Sequence, residues 1–122
     1  MHFHLKHILH NNYVTKLKKP SAILDVGTGS GAWLLEMASE FPETQCTGID
    51  ISNVQPHDII PKNCQFDLGD VLKGLPYADA SFDYIHQRFL EMGVPSDAWP
   101  QLLDELHRVC TPGGGVELVV TD

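Results

Sequence analysis

Basic charge is scarce in this chain: eight Lys and Arg stand against sixteen Asp and Glu, a formal net charge of −8 over 122 residues. That balance argues against a nucleic-acid backbone as the main partner, because phosphate binding needs a clustered basic footprint. Cysteine is scarce too. Cys46, Cys64 and Cys110 are an odd number and form no C-x-x-C pair, so neither a disulfide framework nor a zinc knuckle is indicated. They read as half-buried thiols in a reducing compartment. No apolar run approaches the length of a membrane span, and the polar, histidine-rich start lacks the pattern of a secretory signal. The expectation is a soluble intracellular protein, cytoplasmic or nuclear, with no membrane partner. A composition of 43% apolar and 20% charged residues is that of an ordinary globular protein, and the length allows one domain.

What is present falls into alternating segments. Over residues 2–18, Leu5, Ile8 and Leu9 recur at roughly helical spacing, which predicts an N-terminal helical segment over residues 1–20. Lys16, Lys18 and Lys19 precede the boundary at Pro20 and read as a solvated helix end, with a nuclear address as the alternative. His2, His4, His7 and His10 crowd this segment, but a metal site would need a carboxylate or cysteine beside them. None is near, and no metal is expected. From Ala22 the pattern changes: Ala22 to Val26 is a buried strand by type, and Leu34, Met37, Ala38 and Phe41 mark a helix ended by Pro42. Strands follow at Gln45 to Ile49, Cys64 to Leu68 and Phe82 to Phe89. Trp99, Leu102, Leu103, Leu106 and Cys110 share a helical face, with Ser96 or Asp97 as the cap. Val116 to Val120 closes as a fifth strand. Strands alternating with helices predict an α/β fold, a Rossmann-like three-layer sandwich on a mainly parallel sheet over residues 21–122.

Ligands of such sheets sit outside the carboxyl ends of the strands, and each motif falls at such an end. Asp25-Val26-Gly27-Thr28-Gly29-Ser30-Gly31 joins the first of these strands to its helix. Its glycines allow a sharp turn and a close approach, and the helix start offers free N–H groups to an anion. Two parsings compete. Gly27-x-Gly29-x-x-Ala32 fits a dinucleotide fingerprint, whereas Asp25 followed by Gly27-x-Gly29-x-Gly31 fits a loop that cradles a zwitterionic amino acid. A carboxylate at Asp25 would repel a pyrophosphate and attract an ammonium or sulfonium, which favours the second. Asp50, at the end of the next strand, can accept bonds from two ribose hydroxyls or cap the segment starting at Ser52. Asp70, after Gly69, can accept from an exocyclic amine with Val71 on the ring, or can simply make a turn.

Taken together, Ile23 to Gly31, Gly48-Ile49-Asp50-Ile51-Ser52 and Gly69-Asp70 resemble the motifs of class I S-adenosylmethionine-dependent methyltransferases, in order and spacing. Leu75 to Tyr84 resembles that family's run into its fourth strand, and Glu105 to Gly114 its junction into the fifth. Phe82-Asp83-Tyr84-Ile85-His86-x-Arg88-Phe89-Leu90 and Trp99-Pro100 are most similar to the LaeA-like (Umta-like) methyltransferases of fungi. The resemblance implies S-adenosyl-L-methionine as cofactor. It implies that Asp25 and the loop Gly27, Thr28, Gly29, Ser30 and Gly31 hold the methionine part, Asp50 the ribose, and Ile51, Asp70 and Val71 the adenine. Gln87 and Arg88, beside His86, would border the methionine end and the acceptor, a small molecule or a protein.

Two departures from the family pattern stand out. Gly115 replaces a frequent Trp, and the chain ends at Asp122, before the helix and antiparallel strand pair that usually complete the sheet. The fifth strand is therefore expected to be an exposed apolar edge, open to pairing with another chain. His86 has the chemistry of a general base toward an acceptor, against the plainer reading of an ordinary strand histidine. Trp33 and Trp99 read as packing residues. Three functions compete: a methyltransferase transferring methyl by in-line displacement, a non-catalytic cofactor- or partner-binding module, and a nicotinamide-dependent oxidoreductase. The last predicts an apolar residue in place of Asp25.

Overall fold

The computed structural model describes residues 2–7, 21–28, 31–51, 60–90 and 96–121. Its strands are β1 (His2–His7), β2 (Ala22–Val26), β3 (Gln45–Asp50), β4 (Cys64–Leu68), β5 (Phe82–Leu90) and β6 (Cys110–Thr121). Helix α1 (Ala32–Glu40) links β2 to β3, and α2 (Trp99–Val109) leads into β6. The strands form one sheet in the order β1-β6-β5-β2-β3-β4, and every described pairing is parallel. Strand order reverses direction between β2 and β5, the switch point at which a crevice opens at the carboxyl ends.

Apolar side chains of the sheet pack on both its faces, which is why β2 reads as an apolar run interrupted only by Asp25. Leu24, Val26, Ile49, Ile85 and Val116 pack with Leu102, Leu106 and Val109 of α2. The opposite face joins Ile23, Cys46, Cys64 and Tyr84 to Leu34, Met37 and Ala38 of α1. These helical residues recur three and four apart, the spacing that turns one stripe toward a sheet. Helix α1 ends where the Phe41 amide donates to the Met37 carbonyl, just before Pro42. Asn63 then closes that corner, its Nδ2 donating to the carbonyls of Ala38, Phe41 and Thr44 at 3.1, 3.1 and 2.8 Å.

Polar residues of the later motifs hold the frame together. The Asp83 carboxylate accepts from the Ser21 and Ala22 amides at 2.7 and 2.9 Å, fixing the start of β2. Arg108 of α2 donates to the carbonyls of Leu75 and Tyr77 and to Asp79 and Glu105. Glu105 in turn accepts from the Leu75 amide at 2.8 Å. Together they clamp the stretch before β5 onto α2.

The structure corrects the sequence expectation in four places. Residues 2–7 are a strand and not a helix. Phe3 and Leu5 alternate with His2, His4, Lys6 and His7, a period of two that a reading carried by Leu5, Ile8 and Leu9 misses. The remainder of that segment, residues 8–20, lies outside the described residues. Strand β1 pairs with β6 from His2–Gly115 to His7–Val120. The edge of β6 expected to be exposed is therefore covered by the chain itself, since an unpaired edge favours any strand that can complete its ladder. Lastly, Ser96–Ala98 form a 3-10 turn, and Ala98 takes the cap position of α2 with no side-chain capping bond. Strand β6 also starts earlier than expected, at Cys110. Its Thr111-Pro112-Gly113-Gly114 run is accommodated by a register shift against β5, between the Phe82–Cys110 and Tyr84–Gly115 pairs.

Candidate functional site

The turn after β2 is tied to its neighbour by main-chain bonds. The Gly27 and Thr28 amides donate to the Ile49 carbonyl at 2.8 and 3.1 Å, and the Gly31 amide donates to the Thr28 carbonyl at 2.9 Å. Gly27 and Gly31 have φ of 74° and 83°, the left-handed region that strains any residue with a Cβ. Gly29 and Ser30 lie outside the described residues. Gly31 is the cap of α1, with no side-chain capping bond and no acidic residue in the first turn. The first N–H groups of a helix have no partner within it. Here the cap residue, a glycine, brings no side chain to them, and the positive end of the helix dipole favours an anion.

Beside this helix start lies a buried carboxylate. Asp25 is 3% exposed, yet both its oxygens are engaged. Oδ2 accepts from the Thr28 hydroxyl at 2.9 Å, and Oδ1 is 3.0 Å from Nδ1 of His86. Nδ1 donates in this contact when the ring carries its proton there and the carboxylate oxygen accepts. The His86 ring stacks on Trp33 of α1, with centroids 3.8 Å apart and planes 10° from parallel. Such stacking contributes about 0.5–1.5 kcal/mol beyond area burial.

The arrangement follows from strand register. Asp25 pairs with His86 on one side and Gly48 on the other; His86 pairs with Glu117, and Gly48 with Phe66. Register partners in a parallel sheet project to the same face, so Glu117, His86, Asp25, Gly48 and Phe66 form a row on the face that α1 packs against. The missing side chain of Gly48 lets Thr28 fold back toward Asp25: a Cβ at Gly48 would lie 2.8 Å from Thr28 Oγ1. Glu117 was missed in the sequence, although an acidic residue inside Val116-Glu117-Leu118-Val119-Val120 was a signal. Burial and the Glu117 carboxylate push the Tyr84 phenol above its ordinary range, and the Tyr84 hydroxyl makes no hydrogen bond of good geometry.

The other candidate residues gather along the same end of the sheet. Asp50 ends β3 half-buried, and its carbonyl accepts from the Gly69 amide at 2.8 Å. Ile51, just beyond, is 68% exposed, and Leu68, the register partner of Asp50, is 65% exposed. Both are large apolar side chains left open at the mouth of the crevice, and Leu68 was not singled out in the sequence. Asp70 accepts from the Leu72 amide at 3.0 Å and so caps the 3-10 turn Val71–Lys73. One oxygen thus makes the turn, and Val71 packs half-buried against the α2 core. Gln87 lies in β5 opposite Val26, buried, with its Oε1 unpartnered. Arg88 is in β5, and its side chain lies outside the description. Trp33 and Trp99 both pack, Trp99 against the α2 core. Among the described residues no cluster of His, Cys, Asp and Glu could hold a metal ion, and no helix is long and apolar enough to cross a membrane.

The sequence and the fold resemble those of known proteins. The profile of a methyltransferase-domain family matches residues 23–114. The "Secondary metabolism regulator laeA" of Coprinopsis cinerea is 35% identical over 95 residues, covering 78% of this chain and 23% of the relative. "N-methyltransferase verN" of Clonostachys rogersoniana is 36% identical over 106 residues, 84% of this chain and 37% of the relative. The chain thus spans between about a quarter and two fifths of these curated relatives. Among solved structures, human N-acetylserotonin methyltransferase in complex with SAM superposes with a TM-score of 0.65 at 26% identity, over 80% of this chain and 28% of that one. The antibiotic-resistance methyltransferase Kmr superposes with a TM-score of 0.68 at 23% identity, over 81% of this chain and 58% of that one, and shares the fold. With the motifs, the sheet order and the matched profile in agreement, the chain belongs to the class I S-adenosylmethionine-dependent methyltransferase family, on its LaeA-like side.

Proposed function

We propose that this chain binds S-adenosyl-L-methionine across the carboxyl ends of β2, β3 and β4, and that the protein methylates a small-molecule or protein acceptor. The carrying observation is the juxtaposition of the buried Asp25 carboxylate with the uncapped start of α1. A carboxylate suits an ammonium, and a helix start suits a carboxylate. The pair matches the two charges of an amino acid and would oppose a pyrophosphate, which disfavours the nicotinamide reading.

Asp25 and the loop from Gly27 to Gly31 would hold the methionine end and Asp50 the ribose. Ile51 and Val71 would lie on the adenine, with Asp70 at its edge. Gln87, whose buried Oε1 lacks a protein partner, would face the ligand with Arg88. The cofactor supplies a methyl group already activated as an electrophile by its sulfonium. The residues here have only to orient donor and acceptor and keep them close, the task that proximity serves.

Calorimetric titration of the folded chain tests this reading. Saturable binding of S-adenosylmethionine is expected, weakened at least tenfold in Asp50→Ala, with no binding of NADH. A folded chain that binds neither would overturn it.

A further inference from the structure

The motif-bearing residues are absorbed by the reading above, but His86 is not. It sits in the middle of β5, 2% exposed, on the neighbouring strand to Asp25. Its one described hydrogen bond goes to the carboxylate proposed to meet the ligand's ammonium. We propose that His86 is a positioning residue for the amino-acid end of the ligand, acting through Asp25. The inference rests on the proposed S-adenosylmethionine site.

Three observations converge on it. A carboxylate offers about four lone-pair directions, and the Asp25 oxygens each use one, toward Thr28 and toward His86. Two donors on two different oxygens fix the rotation of the carboxylate plane, so its remaining lone pairs point in set directions. Thr28 belongs to the ligand loop itself. His86 belongs to the neighbouring strand and ties the carboxylate to a part of the frame outside that loop. The imidazole is held in turn: Trp33 lies flat on its face at 3.8 Å, which blocks rotation about the ring's bond to the chain. Because Trp33 is the second residue of α1, the same contact sets the distance between the helix start and the carboxylate. One ring therefore couples the two groups that recognise the two charges of an amino acid. An apolar residue at position 86 would fill the same space without doing so.

The test separates positioning from packing by using two ligands. S-adenosylhomocysteine carries the amino-acid end, whereas 5′-methylthioadenosine has the same nucleoside without it. His86→Phe keeps an aromatic ring against Trp33 and removes the ring nitrogens, the Nδ1 contact to Asp25 with them. It is expected to weaken S-adenosylhomocysteine about tenfold, the worth of one hydrogen bond to a charged group, and to leave 5′-methylthioadenosine unchanged. His86→Asn, whose amide can donate from nearly the position of Nδ1, is expected to recover binding to within about threefold of the unaltered chain by restoring that bond. Equal weakening of both ligands, or no weakening of either, overturns the inference while leaving the cofactor site standing. An unaltered chain that binds neither nucleoside overturns the cofactor reading and this inference with it. If His86→Phe does not fold, the unaltered chain labelled with ¹⁵N-histidine decides. The Nδ1–H resonance of His86 must shift with S-adenosylhomocysteine and stay in place with 5′-methylthioadenosine. The same response to both would refute the positioning role.

Discussion

Replacing Gly48 by alanine tests whether the row on the face that α1 packs against is built as described. The new methyl would stand 2.8 Å from Thr28 Oγ1, 3.0 Å from Thr28 Cβ and 3.0 Å from Leu34 Cδ2. Thr28 and Leu34 are both buried, so neither can withdraw into solvent. Overpacking of this kind costs about 1–3 kcal/mol. The simplest escape swings Thr28 away and breaks its bond to Asp25, and a hydrogen bond to a charged group contributes about 1.5–3 kcal/mol. One movement causes both losses, so they add only in part, and the expected total is about 2–4 kcal/mol. At about 4 °C per kcal/mol for a domain of this size, the melting temperature should fall by about 8–16 °C. Thermal melts of Gly48→Ala, Thr28→Ala and the double variant measure it. Because Thr28→Ala removes the nearest atom in advance, Gly48→Ala should cost at least about 1 kcal/mol less in that background. A cost within about 0.5 kcal/mol of zero, or the same cost in both backgrounds, would refute the close packing of Gly48 on Thr28.

Asn63→Ala leaves three carbonyls at the end of α1 without their shared donor, and should cost about 1–3 kcal/mol in urea or thermal unfolding. The Arg108 guanidinium, helped by the Leu75 amide, holds the Glu105 carboxyl below the usual carboxylate range. A depressed folded-state value gives stability that is complete above the ordinary range and is lost as pH falls through the folded-state value. Melting temperature should therefore drop on the acid side, and Glu105→Gln should lower it at neutral pH while flattening that acid limb. Burial, with Cys64 beside it, pushes the Cys46 thiol up to about 12, and burial, with Asp25 near, pushes Cys64 up to about 11. The folded chain holds these protons longer than the unfolded one, so stability should decline as pH rises past the ordinary thiol range. An aromatic disulfide reagent at pH 8 should leave both thiols unmodified until the chain is unfolded, and their prompt reaction in the folded state would contradict this burial.

The sequence was most readable where one physical demand acts alone. Strand β2 is buried on both faces, so Ala22 to Val26 is apolar except for Asp25, and the run stops at Gly27. Helix α1 shows its stripe at Leu34, Met37 and Ala38 because a single face meets the sheet. β1 was misread because alternation and helical spacing overlap in a six-residue segment, and the partner that decides between them, β6, lies more than a hundred residues away. The cap of α2 was misplaced for a related reason. Ser96 and Asp97 are residue types that favour a cap, but a 3-10 turn intervenes, and such a turn leaves no mark in composition. The candidate site was legible as a set of positions and not as a set of bonds. Asp25 and His86 are 61 residues apart, and only strand order and register bring them together. Glu117 joined them by the same register, unannounced except by its charge.

That polar row bears on why the site lies where it does. An all-parallel sheet covered on both faces has no need of buried carboxylates or imidazoles, and each costs desolvation that a partner must offset. On β2 the residues around Asp25 are Ile23, Leu24 and Val26, all fully buried, so an apolar side chain there would serve the core at least as well. Among the described residues of β2, β5 and β6, this row places the buried side chains of Asp25, His86 and Glu117 side by side on three adjacent strands. On the other side of the row, at Gly48 and Phe66, the sheet returns to small and apolar residues. The proposed ligand, with a positive charge near the end of β2, would account for Asp25. The stability given up by burying that carboxylate would be recovered as an ammonium met the lone pairs not used by Thr28 and His86. This argument depends on the partners of Asp25 and not on the glycines of the loop, so it supports an amino-acid-bearing ligand independently of the motif.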